Sequence, residues 1–142
     1  MNILLFGESC TGKSTIASVL EKDHNMVVYT GKDYLRLSKN RLEAKVMFSD
    51  LLSNSSNSII FVATEKEEIE LVPDSVLRIL LKADLDVKKE RFSIRFRGNL
   101  PKPVELMIER KHGMFDSYDY DEAFDNNDDT KDIILKISKL IA

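Results

Sequence analysis

One nine-residue stretch near the start of the chain constrains its fold more than any other feature: residues 7–15 read Gly-Glu-Ser-Cys-Thr-Gly-Lys-Ser-Thr. This stretch matches the pattern G-x-x-x-x-G-K-[ST], which forms a loop whose backbone N–H groups wrap around phosphate oxygens. A short apolar run, residues 2–6, precedes the loop, and apolar residues at helical spacing follow it. The pattern therefore predicts a strand, a phosphate-binding loop and a helix in succession, with a nucleoside triphosphate as ligand.

Each part of the predicted loop has an expected role in binding a triphosphate. We expect Lys13 to be exposed to the ligand and to reach the β- and γ-phosphates, and Ser14 to offer its hydroxyl to Mg²⁺. The helix that begins there directs the positive end of its dipole at the same phosphates. The predicted nucleotide-binding residues of the loop are Gly7, Ser9, Cys10, Thr11, Gly12, Lys13, Ser14 and Thr15.

Length and composition limit the classes of protein that fit this loop. A chain of 142 residues is enough for one domain with a single core, so we expect one domain, built around the phosphate loop, over residues 1–142. The net charge of −3 argues against a nucleic-acid partner, and a lone cysteine excludes an internal disulfide. No signal-peptide pattern and no membrane-length apolar run is present, so we expect a cytoplasmic protein without a membrane partner. A homodimer is compatible with these features.

Short apolar runs alternate along the chain with segments of helical apolar spacing. This order is typical of a mainly parallel sheet, because a parallel strand must be reached through a crossover that is usually a helix. We therefore expect an α/β fold in three αβα layers with five strands. The expected strands are residues 2–6, 26–29, 58–63, 76–81 and one near 123–124. Besides the helix after the loop, the expected helices are 41–53 with a capping box of Asn40 and Glu43, 84–97 ended by Gly98, 103–113, and one from Asp128 or Asp129 to the C-terminus.

Two acidic residues directly follow expected strands. Asp33 comes after the second strand and Glu65 after the third. Ligands of parallel sheets bind outside the carboxyl ends of the strands, so either carboxylate could orient a Mg²⁺-bound water, hold an acceptor hydroxyl or act as a base. We assign Asp33 to the catalytic set and Glu65 to the metal set with Ser14. The alternative is that both are ordinary loop acids.

A basic segment stands out in this acidic chain, with Lys88, Lys89, Arg91, Arg95 and Arg97 on one expected helix. Arg91 and Arg95 are four residues apart and share a helix face, so their guanidinium groups could close on a phosphoryl group opposite Lys13. We expect the three arginines to be catalytic, Lys88 and Lys89 to face solvent, and residues 84–103 to form a lid that excludes water. The alternative is a solvated helix face.

These residues resemble the nucleoside-monophosphate-kinase-like P-loop kinases. The N-terminal phosphate loop, the acidic residue after the second strand and the arginine-bearing helix after the fourth are similar to that group, and the likeness spans nearly the whole chain. Within it, several segments resemble guanylate kinases. These segments are residues 7–15, residues 31–38, Arg97-Gly98, Arg110, Tyr118-Asp119-Tyr120 and residues 126–129. The sequence departs from that pattern in having Glu8 for proline, Cys10 for glycine and a shorter acceptor lobe.

The resemblance implies a P-loop NTPase fold and an ATP-dependent small-molecule kinase that uses Mg²⁺. A nucleoside monophosphate is the first expectation for the acceptor, and the short lobe keeps open another nucleotide, a nucleoside or a metabolite hydroxyl of the kind that shikimate kinases phosphorylate. By resemblance alone, Asn126 or Asn127 lies near the nucleotide base, with Asn126 assigned to the nucleotide-binding set. The alternative function is a nucleotide-binding ATPase or regulatory protein without a phosphoryl acceptor.

Overall fold

A five-stranded sheet, parallel at every strand pair, forms the centre of the computed structural model, which describes residues 1–128 and 130–142. The strands lie in the order β2-β3-β1-β4-β5. They are β1 (Ile3–Phe6), β2 (Val27–Thr30), β3 (Ile59–Ala63), β4 (Leu77–Lys82) and β5 (Glu122–Asp125). The expected α/β fold with a five-stranded parallel sheet is confirmed.

The strand order explains where the phosphate loop emerges. β1 lies in the middle of the sheet between β3 and β4, and both β1 and β3 are buried along their whole length. Strands covered on both faces read as continuous apolar runs, as these two do. Because the connections leave β1 and β4 in different directions, a crevice opens at the carboxyl end of β1, and the loop of residues 7–12 fills its edge.

Six α-helices and one 3₁₀ helix surround the sheet in the described part of the chain. The α-helices are α1 (Lys13–His24), α2 (Arg41–Ser53), α3 (Lys66–Ile69), α4 (Leu85–Arg95), α5 (Lys102–Lys111) and α6 (Lys131–Ile141), and the 3₁₀ helix is Asp33–Leu37. The two short helices were not expected, because four or five residues carry no readable periodicity. α6 begins later than expected, at Lys131, so Asp128 is outside it; Asp129 lies outside the described residues. None of the described helices is long and apolar enough to cross a membrane.

Alternate residues of the central strands build two cores, one on each face of the sheet. Leu4 and Phe6 point to the face covered by α2 and α3, where Phe48 is fully buried. Ile3 and Leu5 point to the opposite face, where α1 and α6 pack. The two faces and the sheet are the three expected layers, and this packing holds α1 with its N-terminus at the crevice.

Asn2 ties the start of β1 to its neighbours. Its side chain is buried, and its Nδ2 donates to the carbonyl oxygens of Leu52 at 2.8 Å and Asn54 at 2.9 Å. Its Oδ1 accepts from the backbone N–H of Ile59 at 2.9 Å. One amide therefore satisfies carbonyl groups left open at the end of α2 and an N–H at the start of β3.

Replacing this amide tests its contribution to stability. We expect Asn2→Ala to lower the free energy of unfolding by about 2–4 kcal/mol, because three hydrogen bonds are lost and buried backbone groups stay unpaired. Urea unfolding followed by circular dichroism measures the change. Asn99→Ala, at an exposed position, is the matched control and should change stability by less than about 0.5 kcal/mol. Equal effects of the two variants would contradict the role given to Asn2.

Candidate functional site

The phosphate loop is shaped by two close approaches that only glycine permits. A Cβ at Gly7 would lie 2.2 Å from the carbonyl oxygen of Leu81, and a Cβ at Gly12 would lie 2.1 Å from Asn126 Nδ2. Cys10, which replaces the glycine of the resembling family, also adopts a left-handed conformation, with φ 64°. This costs roughly 1–2 kcal/mol for a residue with a side chain. The loop thus takes its tight turns despite the substitution.

A cavity of about 190 Å³ opens above this loop. Gly12 is the N-cap of α1 and offers no side chain to the helix, and the first turn carries no acidic residue. The N–H groups at the start of α1 therefore lack a side-chain cap, which is the condition in which a helix N-terminus binds an anion. Ser14 is exposed at this position, and Arg95 lines the cavity together with Lys13 and Ser14.

Lys13 lines the cavity, but its side chain is almost completely buried. It is only 6% exposed, and its Nζ donates to the carbonyl oxygen of Glu8 at 2.6 Å and to Thr11 Oγ1 at 3.3 Å. Burial lowers the pKa of its ammonium group to about 8, against the opposing influence of Cys10 and Glu8. The expectation of an exposed lysine is therefore wrong for this structure. Lys13 must turn outward to reach a phosphate.

The three arginines occupy three different environments. Arg91 donates from Nη1 to the carbonyl oxygen of Cys10 at 2.8 Å and from Nη2 to that of Asn126 at 2.7 Å, so its guanidinium group joins the loop to the end of β5. Arg95 is exposed at the cavity, with its guanidinium carbon 5.4 Å from the ring centre of Phe92. Arg97 lies past the end of α4, exposed, with φ 58°. The structure brings Arg95 to the cavity and gives Arg91 a supporting position.

Lys88 corrects the expectation of a solvent-facing residue. It is 1% exposed, and its Nζ contacts Glu8 Oε1 of the phosphate loop at 2.5 Å. Lys89 instead pairs with Glu105 and Glu109 of α5. The predicted lid, residues 84–103, is thus fastened to the loop through the middle of α4, because Lys88 and Arg91 both contact it.

Asn126 lies beneath the loop instead of beside a ligand. Its side chain is completely buried, and its Nδ2 donates to the carbonyl oxygen of Thr11 at 2.9 Å. Contact with a nucleotide base, expected from resemblance, is not possible for a side chain without exposed surface. Asn126 supports the loop from below, in the space that Gly12 leaves open.

Asp33 and Glu65, the two acidic residues assigned to the site, both contact other residues of the protein. Asp33 accepts hydrogen bonds from the backbone N–H of Thr30 at 3.0 Å and from Arg36 at 3.1 Å, so it closes the turn after β2. Glu65 is exposed and lies 3.7 Å from Lys111 Nζ, beside a second cavity of about 30 Å³ that it shares with Glu8. Glu65 lines this second cavity, whereas Ser14 lines the cavity above the loop, and no group of three or more His, Cys, Asp or Glu residues that could hold a metal ion occurs among the described residues.

Glu68 is a site residue that sequence reasoning missed. It is 6% exposed, and its Oε1 accepts from the backbone N–H groups of Thr64 at 3.2 Å and Glu65 at 3.0 Å. Its charge favours the protonated form of Lys13 and so raises the pKa of that lysine against the effect of burial. Glu68 lay hidden in the charged run 65–70, and the one signal for it was its position three residues after the acidic residue that precedes α3.

Comparison with solved structures finds proteins of the same fold, several of which are kinases. No protein-family model matches the sequence, and no curated protein matches it significantly. Among solved structures, an uncharacterized protein from Eubacterium ventriosum has a TM-score of 0.72 at 17% identity, over 99% of this chain and 98% of that chain. Shikimate kinase from Acinetobacter baumannii in complex with shikimate has a TM-score of 0.64 at 14% identity, over 99% and 92% of the two chains. Deoxyadenosine kinase from M. mycoides with bound dATP has a TM-score of 0.59 at 18% identity, over the full length of both.

This chain has the P-loop kinase fold. The similarity covers at least 99% of this chain in each of the three comparisons. At these identities the likeness shows the fold alone, so the acceptor and the guanylate-kinase-like features stay predictions. Within the P-loop kinase fold, the cavity above residues 7–15 is the candidate phosphate site.

The separate positions of Arg91 and Arg95 predict separate effects on stability. We expect Arg91→Ala to lower the free energy of unfolding by about 1.5–3 kcal/mol, because two carbonyl oxygens lose a charged donor. Arg95→Ala is the matched control, and because Arg95 is exposed and its guanidinium group lies over the Phe92 ring, it should cost less than about 1 kcal/mol. Chemical unfolding of both variants measures the difference. The reverse order would show that Arg91 does not hold the loop.

The low pKa of Lys13 predicts an unusual pH dependence of MgATP binding. A neutral lysine gives no ionic contact to phosphate, and at pH 9.5 only about 3% of a group with a pKa of about 8 is charged. We therefore expect affinity to fall about thirtyfold between pH 7 and 9.5, with proton uptake on binding in that range. Titration calorimetry in two buffers measures both, and the exposed-lysine variant Lys39→Met should keep the same slope. Constant affinity up to pH 9.5 would mean that Lys13 is charged before the ligand arrives.

Proposed function

We propose that this chain is an ATP-dependent small-molecule kinase that transfers the γ-phosphoryl group of ATP, with Mg²⁺, to a small acceptor. One observation carries the proposal: the uncapped N-terminus of α1 and the guanidinium group of Arg95 line the same cavity, together with Lys13 and Ser14. Phosphoryl transfer depends on positive groups around a phosphate whose charge is spread over its outer oxygens. An arrangement of this kind supplies them from two sides.

The residues of the loop divide the work of holding the triphosphate. The backbone N–H groups of residues 12–15 bind phosphate oxygens, and Lys13, once turned outward, pairs with the β- and γ-phosphates. Ser14 is the residue that would hold Mg²⁺, and its exposed position in a polar cavity fits that role. The metal, when bound, neutralises charge on the phosphate oxygens and orients them. Arg95 stabilises the transferring group from the side of α4.

The acceptor oxygen attacks the γ-phosphorus, the bond to the β,γ-bridging oxygen breaks, and ADP leaves with the bond's electron pair. The acceptor's proton passes to a base. Asp33 was the first expectation for this base, but its oxygens already accept from Thr30 and Arg36. Glu65 also has partners, because its side chain accepts from the backbone N–H of Glu68 and lies 3.7 Å from Lys111 Nζ, but it is exposed beside the 30 Å³ cavity that the loop residues Glu8 and Ser9 also line. This placement supports Glu65 as the base and Asp33 as a residue that shapes the acceptor side.

A nucleoside monophosphate is the acceptor we propose first, on the resemblance of residues 31–38 and of the C-terminal segments to guanylate kinases. Only the 3₁₀ helix Asp33–Leu37 and α2 lie between β2 and β3, so the acceptor lobe is small. A lobe of this size also suits a nucleoside or a metabolite hydroxyl. An ATPase or regulatory protein without an acceptor is the second candidate, favoured by the small volume of the cavity beside Glu65.

Acceptor-dependent ADP release tests the proposal. Purified protein with MgATP is offered nucleoside monophosphates, nucleosides, and sugar and shikimate-like hydroxyl compounds, and ADP is measured with a coupled assay. We expect at least one acceptor to raise ADP release well above the rate without acceptor, and Lys13→Ala to abolish it, since several kcal/mol of phosphate contacts are lost.

With the active acceptor, Glu65→Gln should lower turnover about a hundredfold or more and Asp33→Asn much less. ADP release that no acceptor stimulates would favour the second candidate.

A further inference from the structure

The second residue of the phosphate loop is an acid, which is unfavourable in a loop that binds anions. Glu8 lies between Gly7 and Ser9, and its backbone carbonyl accepts the Nζ of Lys13. Its carboxylate is 15% exposed and acts electrostatically on Lys13, the cation expected to meet the phosphates. A carboxylate beside Lys13 would repel a triphosphate bound at the loop, because charges in the interior of the site are poorly screened.

The structure surrounds that carboxylate with donors from outside the loop. Lys88 Nζ, on α4, contacts Glu8 Oε1 at 2.5 Å, and the backbone N–H of Gly113, after α5, donates to Glu8 Oε2 at 3.0 Å. Lys88 Nζ also contacts His112 Nδ1, and that nitrogen lies 4.0 Å from Glu8 Oε1. Lys88 is one of the largest fully buried side chains of the described residues. Its charge therefore interacts with Glu8 and is not solvated.

We propose that Lys88 is a positioning residue for the triphosphate, which acts by neutralising Glu8 and holding its carboxylate away from the phosphate cavity, without itself touching a phosphate. The cavity above the loop is lined by Arg95 and Lys13, whereas Lys88 lines the separate 30 Å³ cavity on the other side of Glu8. This geometry separates a lysine that binds phosphate from one that cancels a neighbouring acid. The inference rests on the proposed function only in requiring that the loop binds a triphosphate.

If Lys88 neutralises Glu8, a double-mutant cycle gives a different result from the one expected if Lys88 binds phosphate directly. If Lys88 neutralises Glu8, Lys88→Met exposes the triphosphate to an unpaired carboxylate and weakens MgATP binding by about tenfold or more. Glu8→Gln removes that carboxylate and binds MgATP at least as tightly as wild type. The double variant E8Q/K88M then returns to within about threefold of wild-type affinity, because neither charge is left.

Titration calorimetry with MgATP at pH 7.5, at low and at moderate salt, measures all four proteins. Lys89→Met is the matched control. It removes the same charge one residue further along α4, and Lys89 pairs with Glu105 and Glu109 of α5 and not with the loop. It should bind MgATP within about twofold of wild type. The loss in Lys88→Met should change little between the two salt concentrations, because a mostly buried carboxylate is poorly screened by salt.

Lys88→Met leaves a buried carboxylate without its partner and could fail to fold, so circular dichroism and thermal unfolding accompany each titration. In that case E8Q/K88M, which has no unpaired charge, and Glu8→Gln carry the test.

A double variant that binds as weakly as Lys88→Met, or a tenfold loss in Glu8→Gln, would overturn the inference. The first result would place Lys88 on the phosphates, and the second would make Glu8 a ligand. Wild-type protein that does not bind MgATP would overturn the proposed function and this inference together, whereas binding in wild type with no effect of Lys88→Met would overturn the inference alone.

Discussion

The close approach of the phosphate loop to the ends of β4 and β5 is the constraint on which the site depends. The loop can lie on those strands only because Gly7 and Gly12 carry no side chain. The space beneath Gly12 admits the amide of Asn126, which holds Thr11, and the same region admits Arg91, which holds Cys10. Carbonyl groups of the loop therefore have donors from the scaffold, and its N–H groups at α1 are left for a ligand. A binding surface preorganised in this way loses little conformational freedom when the ligand arrives.

Charge at the site is balanced locally rather than supplied by the chain as a whole, which is acidic. Burial lowers the pKa of Lys13, Glu8 is paired with Lys88, and Glu68 accepts backbone N–H groups near the loop. Each of these groups has hydrogen-bond or ionic partners within the protein. An incoming triphosphate must exchange partners with them, so its affinity reflects a difference between two sets of contacts instead of a simple sum of attractions.

Local sequence patterns predicted the fold, whereas the roles of individual side chains were determined by tertiary contacts that the sequence does not show. The central strands were visible because β1 and β3 are buried on both faces and read as unbroken apolar runs. The loop was visible because its chemistry needs fixed residue types at fixed spacing. The charged run 65–70 and the basic run 88–97 both resemble solvated surface in sequence. Lys88 and Glu68 are nonetheless buried, since their partners come from Glu8, distant in sequence, and from the turn after β3.

The turn after α4 has a consequence for how this fold can be studied and extended. Arg97 and Gly98 are both left-handed, with φ 58° and 84°, and a Cβ built on Gly98 meets no other described atom within 4 Å. The chain reverses there in open space, about two turns beyond the contacts that Arg91 makes with the loop. A fluorophore attached at Asn99, or a few inserted residues, would leave those contacts in place. This tip is therefore a natural attachment point for a reporter of movement over the site, and a place where a longer flap could be grafted onto the same scaffold.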